Sequence, residues 1–90
     1  MPQISRVFTD FVPTLQLFIE EELQGEALFR RLADYHQGKA RNVFQIMAAI
    51  ESGVIAAMQP AIVRHGLELA NPKTLYEEGR READAMSSMT

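Results

Sequence analysis

Phe44-Gln-Ile-Met-Ala-Ala-Ile-Glu51-Ser-Gly-Val-Ile-Ala-Ala-Met58 is the stretch whose reading decides the fold. Phe44, Met47, Ala48, Glu51, Val54, Ile55, Met58 and then Ile62 recur at three- and four-residue intervals, the spacing of one face of an α-helix. Glu51 therefore points where its hydrophobic neighbours point. A buried carboxylate is costly unless it is paired, protonated or bound to a cation, so its place on this face calls for a partner.

Working outward, Leu15, Phe18, Ile19, Glu22, Phe29, Leu32 and Ala33 form a second stripe of the same period, and Glu22 interrupts it as Glu51 interrupts the first. Between the stripes lies Gln37-Gly38-Lys39, where Gly38 can take the left-handed conformation that closes a helix. The sequence thus predicts an antiparallel helical hairpin, with helix 1 over 13–37 and helix 2 over 40–66. Pro13 suits a first helical turn, with Thr9 or Asp10 upstream as a cap. Residues 1–12 are expected to be a lead-in, with a turn capped by Ser5 whose Val7, Phe8, Phe11 and Val12 dock on something. Pro60 removes the bond to the Ala56 carbonyl and predicts a kink or break there. Asn71-Pro72 ends the hairpin, and a short, charged third helix is expected over 73–86, as a swapped arm or a solvent-facing cap.

Composition narrows the function classes. A net charge of -3 and a pI near 5.3, with no Lys/Arg cluster, argue against a nucleic-acid partner. There is no cysteine, so disulfides and thiolate metal sites are excluded and His, Asp and Glu remain as ligands. No apolar run approaches the roughly 18 residues of a membrane span, and no signal-like N-terminus is recognisable, so the expectation is a soluble, cytoplasmic protein without a membrane partner. No nucleophile–base motif or phosphate-binding glycine loop is present, which argues against a nucleophilic hydrolase.

The hairpin alone cannot cover its own apolar surface. Leu23, Ala27, Leu28, Ile46, Ala49, Ile50, Ala57 and Val63 lie off the two stripes and are still apolar, so either the third helix or a second copy of the chain must cover them. A symmetric homodimer forming a four-helix bundle is the expected solution. Measured from Gly38 at 1.5 Å per residue, Glu22 and Glu51 lie at heights of about 24 Å and about 20 Å. A twofold pairing then gathers four carboxylates, which need raised pKa values, basic partners or metal ions. Oxygen donors of this kind favour iron, manganese, magnesium or calcium over copper or zinc.

Two segments carry a resemblance. Glu22-Leu-Gln-Gly-Glu-Ala-Leu-Phe29-Arg-Arg-Leu-Ala33 resembles the first helix of ferritin-like proteins, in which a ligand Glu is followed seven positions on by an aromatic residue, commonly Tyr, and then by a small one. Phe44-x3-Ala48-x2-Glu51 resembles their second helix, including that of the rubrerythrins. The family pattern there runs Glu-x-x-His, whereas this chain reads Glu51-Ser52-Gly53-Val54, and Phe29 stands at the Tyr position. The resemblance covers roughly residues 14–66, and a single helix pair is similar to the short chains of the encapsulated ferritins. It implies an all-α ferritin-like bundle, dimerisation, an iron site built from Glu22 and Glu51, and ferroxidase-type oxidoreductase chemistry. The alternative is a degenerate ferritin-like helical module without metal chemistry, acting in oligomerisation or partner binding, with its carboxylates protonated or satisfied by Arg30, Arg31 or Arg41.

The remaining polar residues read as ordinary. Glu20, Glu21 and Glu26 are expected on solvated helix faces, with Glu26 also placed to be an outer carboxylate. His36 and His65 each lie 14 residues from the Glu of their own helix and read as helix-terminal histidines favoured by the dipole. Met47 and Met58 read as core and Met86 and Met89 as tail.

Overall fold

A residue supply rich in Leu, Glu, Gln, Ala and Arg makes helix the cheapest local structure for this chain. The computed structural model describes residues 2–89, with side chains from Phe11 onward, and these residues form three helices: α1 Pro2–Asp34, α2 Gly38–His65 and α3 Pro72–Ser88. The described chain is all-α. The lead-in expected over 1–12 is instead part of α1, which runs through Pro13. Pro13 is exposed, so its ring and its missing N–H face solvent rather than a packed neighbour. The expected Ser5 cap and the docking of Val7 and Phe8 rest on side chains outside the described residues.

The turn between α1 and α2 is closed by backbone and guanidinium together. Tyr35 N and His36 N donate to the carbonyls of Leu32 and Ala33, and Arg41 Nε donates to Ala33 O at 3.1 Å and His36 O at 2.8 Å. A cation on the last carbonyls of a helix also meets the negative end of its dipole. Gly38 takes φ +64, the left-handed conformation expected of it, and begins α2. α2 passes Pro60 without a break and ends at Gly66, φ 58, where Gly66 N and Leu67 N bond back to Val63 O and Ile62 O. Asn71 Oδ1 accepts from Lys73 N at 3.0 Å and caps α3, with Pro72 in the first turn.

α1 is the axis of the molecule. α2 runs antiparallel to it and α3 parallel, each packs on α1, and they do not pack on each other. The third helix is therefore neither a swapped arm nor a free cap. Gly79 brings it so close that a Cβ there would lie 2.2 Å from the Gln24 carbonyl oxygen. Leu75, Gly79 and Ala83, four residues apart, are its buried stripe, with Gly79 against Gln24 and Ala27 of α1. Ala70 N donates to Glu20 Oε2 at 2.6 Å and ties the α2–α3 linker to α1.

The buried apolar set is small: Ile19, Leu23, Ala27, Leu32, Ala33, Ala48, Leu75 and Ala83. α2 contributes only Ala48 to it, although apolar residues run most of the way round that helix. Averaged across Glu51, an 18-residue window of α2 has mean hydropathy 1.6, and 6% of it is buried. By length and composition α2 could cross a membrane, which corrects the sequence expectation that no such stretch exists; Glu51 and Gln59 interrupt the run without lowering its average far enough.

Candidate functional site

The two carboxylates singled out in the sequence belong to one seam, between α1 and α2. The Glu51 carboxyl lies over Gly25, so that a Cβ on Gly25 would sit 3.6 Å from Glu51 Cδ and from Oε2. Glu22 precedes Gly25 by three residues, just under one helical turn, and is half-buried. The helix–helix register expected from Gly38 as apex is thus the observed one. Farther along the same seam Phe29 stacks on Phe44 at 6.4 Å between centroids, and His36 lies 5.0 Å from Phe44. At the opposite end Phe11 meets His65 edge-on at 6.3 Å.

Glu51 Oε2 is buried and has no hydrogen-bond partner among the described residues. The arginines proposed as its counter-charges are all committed elsewhere. Arg30 binds Glu26, Arg31 binds Asp84, and Arg41 binds the carbonyls at the turn. Glu22 likewise makes no ion pair with a described residue. Glu51 is thus a carboxylate with an unpartnered buried oxygen beside the space that Gly25 leaves. The described residues hold no group of three or more His, Cys, Asp or Glu able to bind a metal.

Beside this seam lies a broad uncovered face. Ile46 and Ile50 are each 59% exposed, Val43 51%, and on α1 Leu17 and Phe18 are exposed as well. Gly53 has nothing within 4 Å of where its Cβ would be. The face continues into an open groove of about 390 Å³ whose floor is Leu28, Phe29 and Leu32, walled by Phe44 and His36 on one side and Met86 on the other. Leu23 and Ala27, two of the apolar residues off the main stripes, are buried, Ala27 against Gly79 of α3, whereas Ile46, Ile50 and Val63 remain exposed.

The α1–α3 seam is polar, and sequence reasoning missed most of it. Glu26, expected on a solvated face, is only 9% exposed, and Arg30 holds its Oε1 through Nε at 3.1 Å and Nη2 at 2.9 Å. The i,i+4 spacing of Glu26 and Arg30 was the available signal. Asp84 accepts from Arg31 Nε at 3.0 Å and from the Tyr35 hydroxyl, and Gln24 donates to Glu78. Hydrogen bonds from Tyr35 and then Arg31 hold the Asp84 carboxyl below its usual range. The bond to Asp84, with some burial, pushes the Tyr35 phenol up. For Tyr76 burial is the larger cause of an upward shift and the charge of Glu26 the next.

No family model matches this sequence, and no curated protein or solved structure is similar enough to it to count as a match. Function must therefore be argued from the side chains.

Proposed function

We propose that this chain is a self-associating ferritin-like helical module: two hairpins pair through the outer face of α2 and the adjoining strip of α1 into a four-helix bundle. The carrying observation is α2 itself, 28 residues long and apolar most of the way round, with Ala48 as its only buried residue. A helix of that character belongs inside a larger core or a bilayer. A bilayer suits α2 less well, because the apolar window contains Glu51, and a carboxylate inside a spanning segment is costly.

Pairing assembles the other half of the carboxylate site. Two copies of Glu51 and Glu22 then share one region, and a divalent cation with oxygen ligands, iron by the family resemblance, is held between them. Iron in such a site supplies the chemistry of Fe(II) oxidation; the chain supplies the oxygen donors and the apolar surround of Met47, Val54 and Met58 that limits water. The reading without metal is favoured by one specific observation, Val54 at the position where the resemblance wants a histidine. In that reading the bundle still forms and Glu51 binds no metal in it.

Sedimentation equilibrium of the full chain and of the double variant Ile46→Glu/Ile50→Glu tests the pairing. The expected result is a dimer or larger assembly that the variant converts to a helical monomer. A wild-type monomer at all concentrations would sink the proposal, and partition into vesicles instead would transfer α2 to a lipid surface. Aerobic Fe(II) and Mn(II) titrations against Glu51→Gln then separate the two site readings. Saturable binding by the wild type that the variant loses supports the cation; an intact dimer that binds neither metal leaves the oligomerising module.

A further inference from the structure

The side of α1 away from the pairing face carries a second concavity. It lies between α1 and α3, has a volume of about 250 Å³, and is lined by Glu26, Arg30, Arg31 and Asp34 from α1 and Tyr76 and Arg80 from α3. At about 100° per residue, Glu26 and Arg30 project roughly opposite to Leu28 and Leu32, which floor the apolar groove. Pairing through that groove and α2 therefore leaves this cleft open.

Its charges are unevenly committed. Glu26 is buried and needs a cation, and Arg30 supplies one with Nε and Nη2 both on Oε1. Arg30 nonetheless remains 60% exposed, with Nη1 unspent. Arg31 is tied to Asp84 outside the cleft. Arg80 is exposed and forms no hydrogen bond or ion pair with a described residue. Asp34 is the opposing carboxylate at the rim; with Arg30 on Glu26 and Arg31 on Asp84, Arg80 is the cleft guanidinium with no hydrogen bond or ion pair among the described residues. Burial and then the Glu26 charge push the Tyr76 phenol up, and the Tyr76 ring lies in the cleft wall beside Ala27.

We propose that this cleft binds a small organic oxyanion, with its anionic head between Arg30 and Arg80 and an apolar body against Ala27 and the Tyr76 ring. Guanidinium groups recognise carboxylate and phosphate oxygens in the same forked, charge-assisted geometry, so the head is either of these. The volume lies just under the roughly 300–1,000 Å³ usual for small-molecule sites, so the body is no larger than a single ring or a short chain. Glu26 acts as a positioning residue that holds Arg30 in the cleft wall.

The test uses the full chain, with benzoate and phenyl phosphate as probes and benzyl alcohol as the body without the head. Each is titrated while backbone amide shifts are followed by NMR. The expected result is saturable shifts at residues 26–31 and 76–80 with at least one of the two anions, none with benzyl alcohol, and a loss of about tenfold in affinity, or 1.4 kcal/mol, in Arg80→Met. Response to only one anion names the head group and upholds the site. Shifts spread equally over Lys39, Arg41 and Arg64, or unchanged binding in Arg80→Met with native circular dichroism, would overturn it. The Ile46→Glu/Ile50→Glu variant must bind the same anion with wild-type affinity, which separates this site from the pairing proposal.

Discussion

Glycine at two positions shows how much a single methyl decides here. A Cβ on Gly79 would overlap the Gln24 backbone oxygen at 2.2 Å and press on Ala27 Cβ at 3.1 Å, and backbone cannot swing aside as a side chain can. Gly79→Ala is expected to cost at least about 1–3 kcal/mol, read as a lower urea midpoint, with α3 lifted from α1. Gly25→Ala runs the other way. Its new methyl would meet Glu51 at 3.6 Å, an ordinary contact, so the helix-propensity gain of up to about 1 kcal/mol should raise the midpoint. If the space over Gly25 also serves a cation, the same variant loses metal affinity while it gains stability, a split that titration beside thermal melting would show. Asp84 supplies a pH signature. Its carboxyl titrates lower in the folded chain than in the unfolded one, so its contribution is complete above about pH 4 and is lost as pH falls through the folded value. Tyr35 titrates higher when folded, so its share is complete below about pH 10 and is lost as pH rises through its folded value. Asp84→Asn should flatten both edges of the stability profile measured by denaturation across that range. Both groups are solvent-exposed, so the effect is small and is read as a change in shape.

At the level of elements, the three helices follow from local rules, and their ends mostly do too. Gly38, Gly66 and Asn71-Pro72 punctuate the chain where the sequence places its turns, because left-handed conformations and caps are decided within a few residues. The start of α1 was misread, since Pro13 looks the same at a first turn as in an interior turn whose ring faces solvent. The apolar residues that the sequence places off the α2 stripe, Ile46, Ile50 and Val63, are exposed together with Val43 on the side of α2 away from α1. Reversing the outer face with Ile46→Glu/Ile50→Glu should leave far-ultraviolet ellipticity near wild type in conditions where the mass halves. A variant that unfolds instead would mean that α2 holds to α1 only through its partner, and Ile50→Ser alone then weakens association by a smaller, measurable step.

For the whole molecule, two long helices and a shorter one lie on a common axis, 54 Å long and about 23 Å across, with most of the burial on the flanks of α1. Such a shape has too little interior for its apolar content, which is why association is the central expectation. The melting temperature should accordingly rise with protein concentration, and rise further with a divalent cation if the shared carboxylates bind one. The sequence alone determined the helices, the hairpin register that sets Glu51 over Gly25, and the need for something to cover Ile46 and Ile50. These depend on periodicity and on turns, and both are local. Only the tertiary structure decided that α3 lies along α1, that Glu26 is buried with Arg30, and that Glu51 Oε2 is left without a partner. Those outcomes depend on which helix faces meet and which arginines are already taken, and no residue's own neighbours in sequence record that.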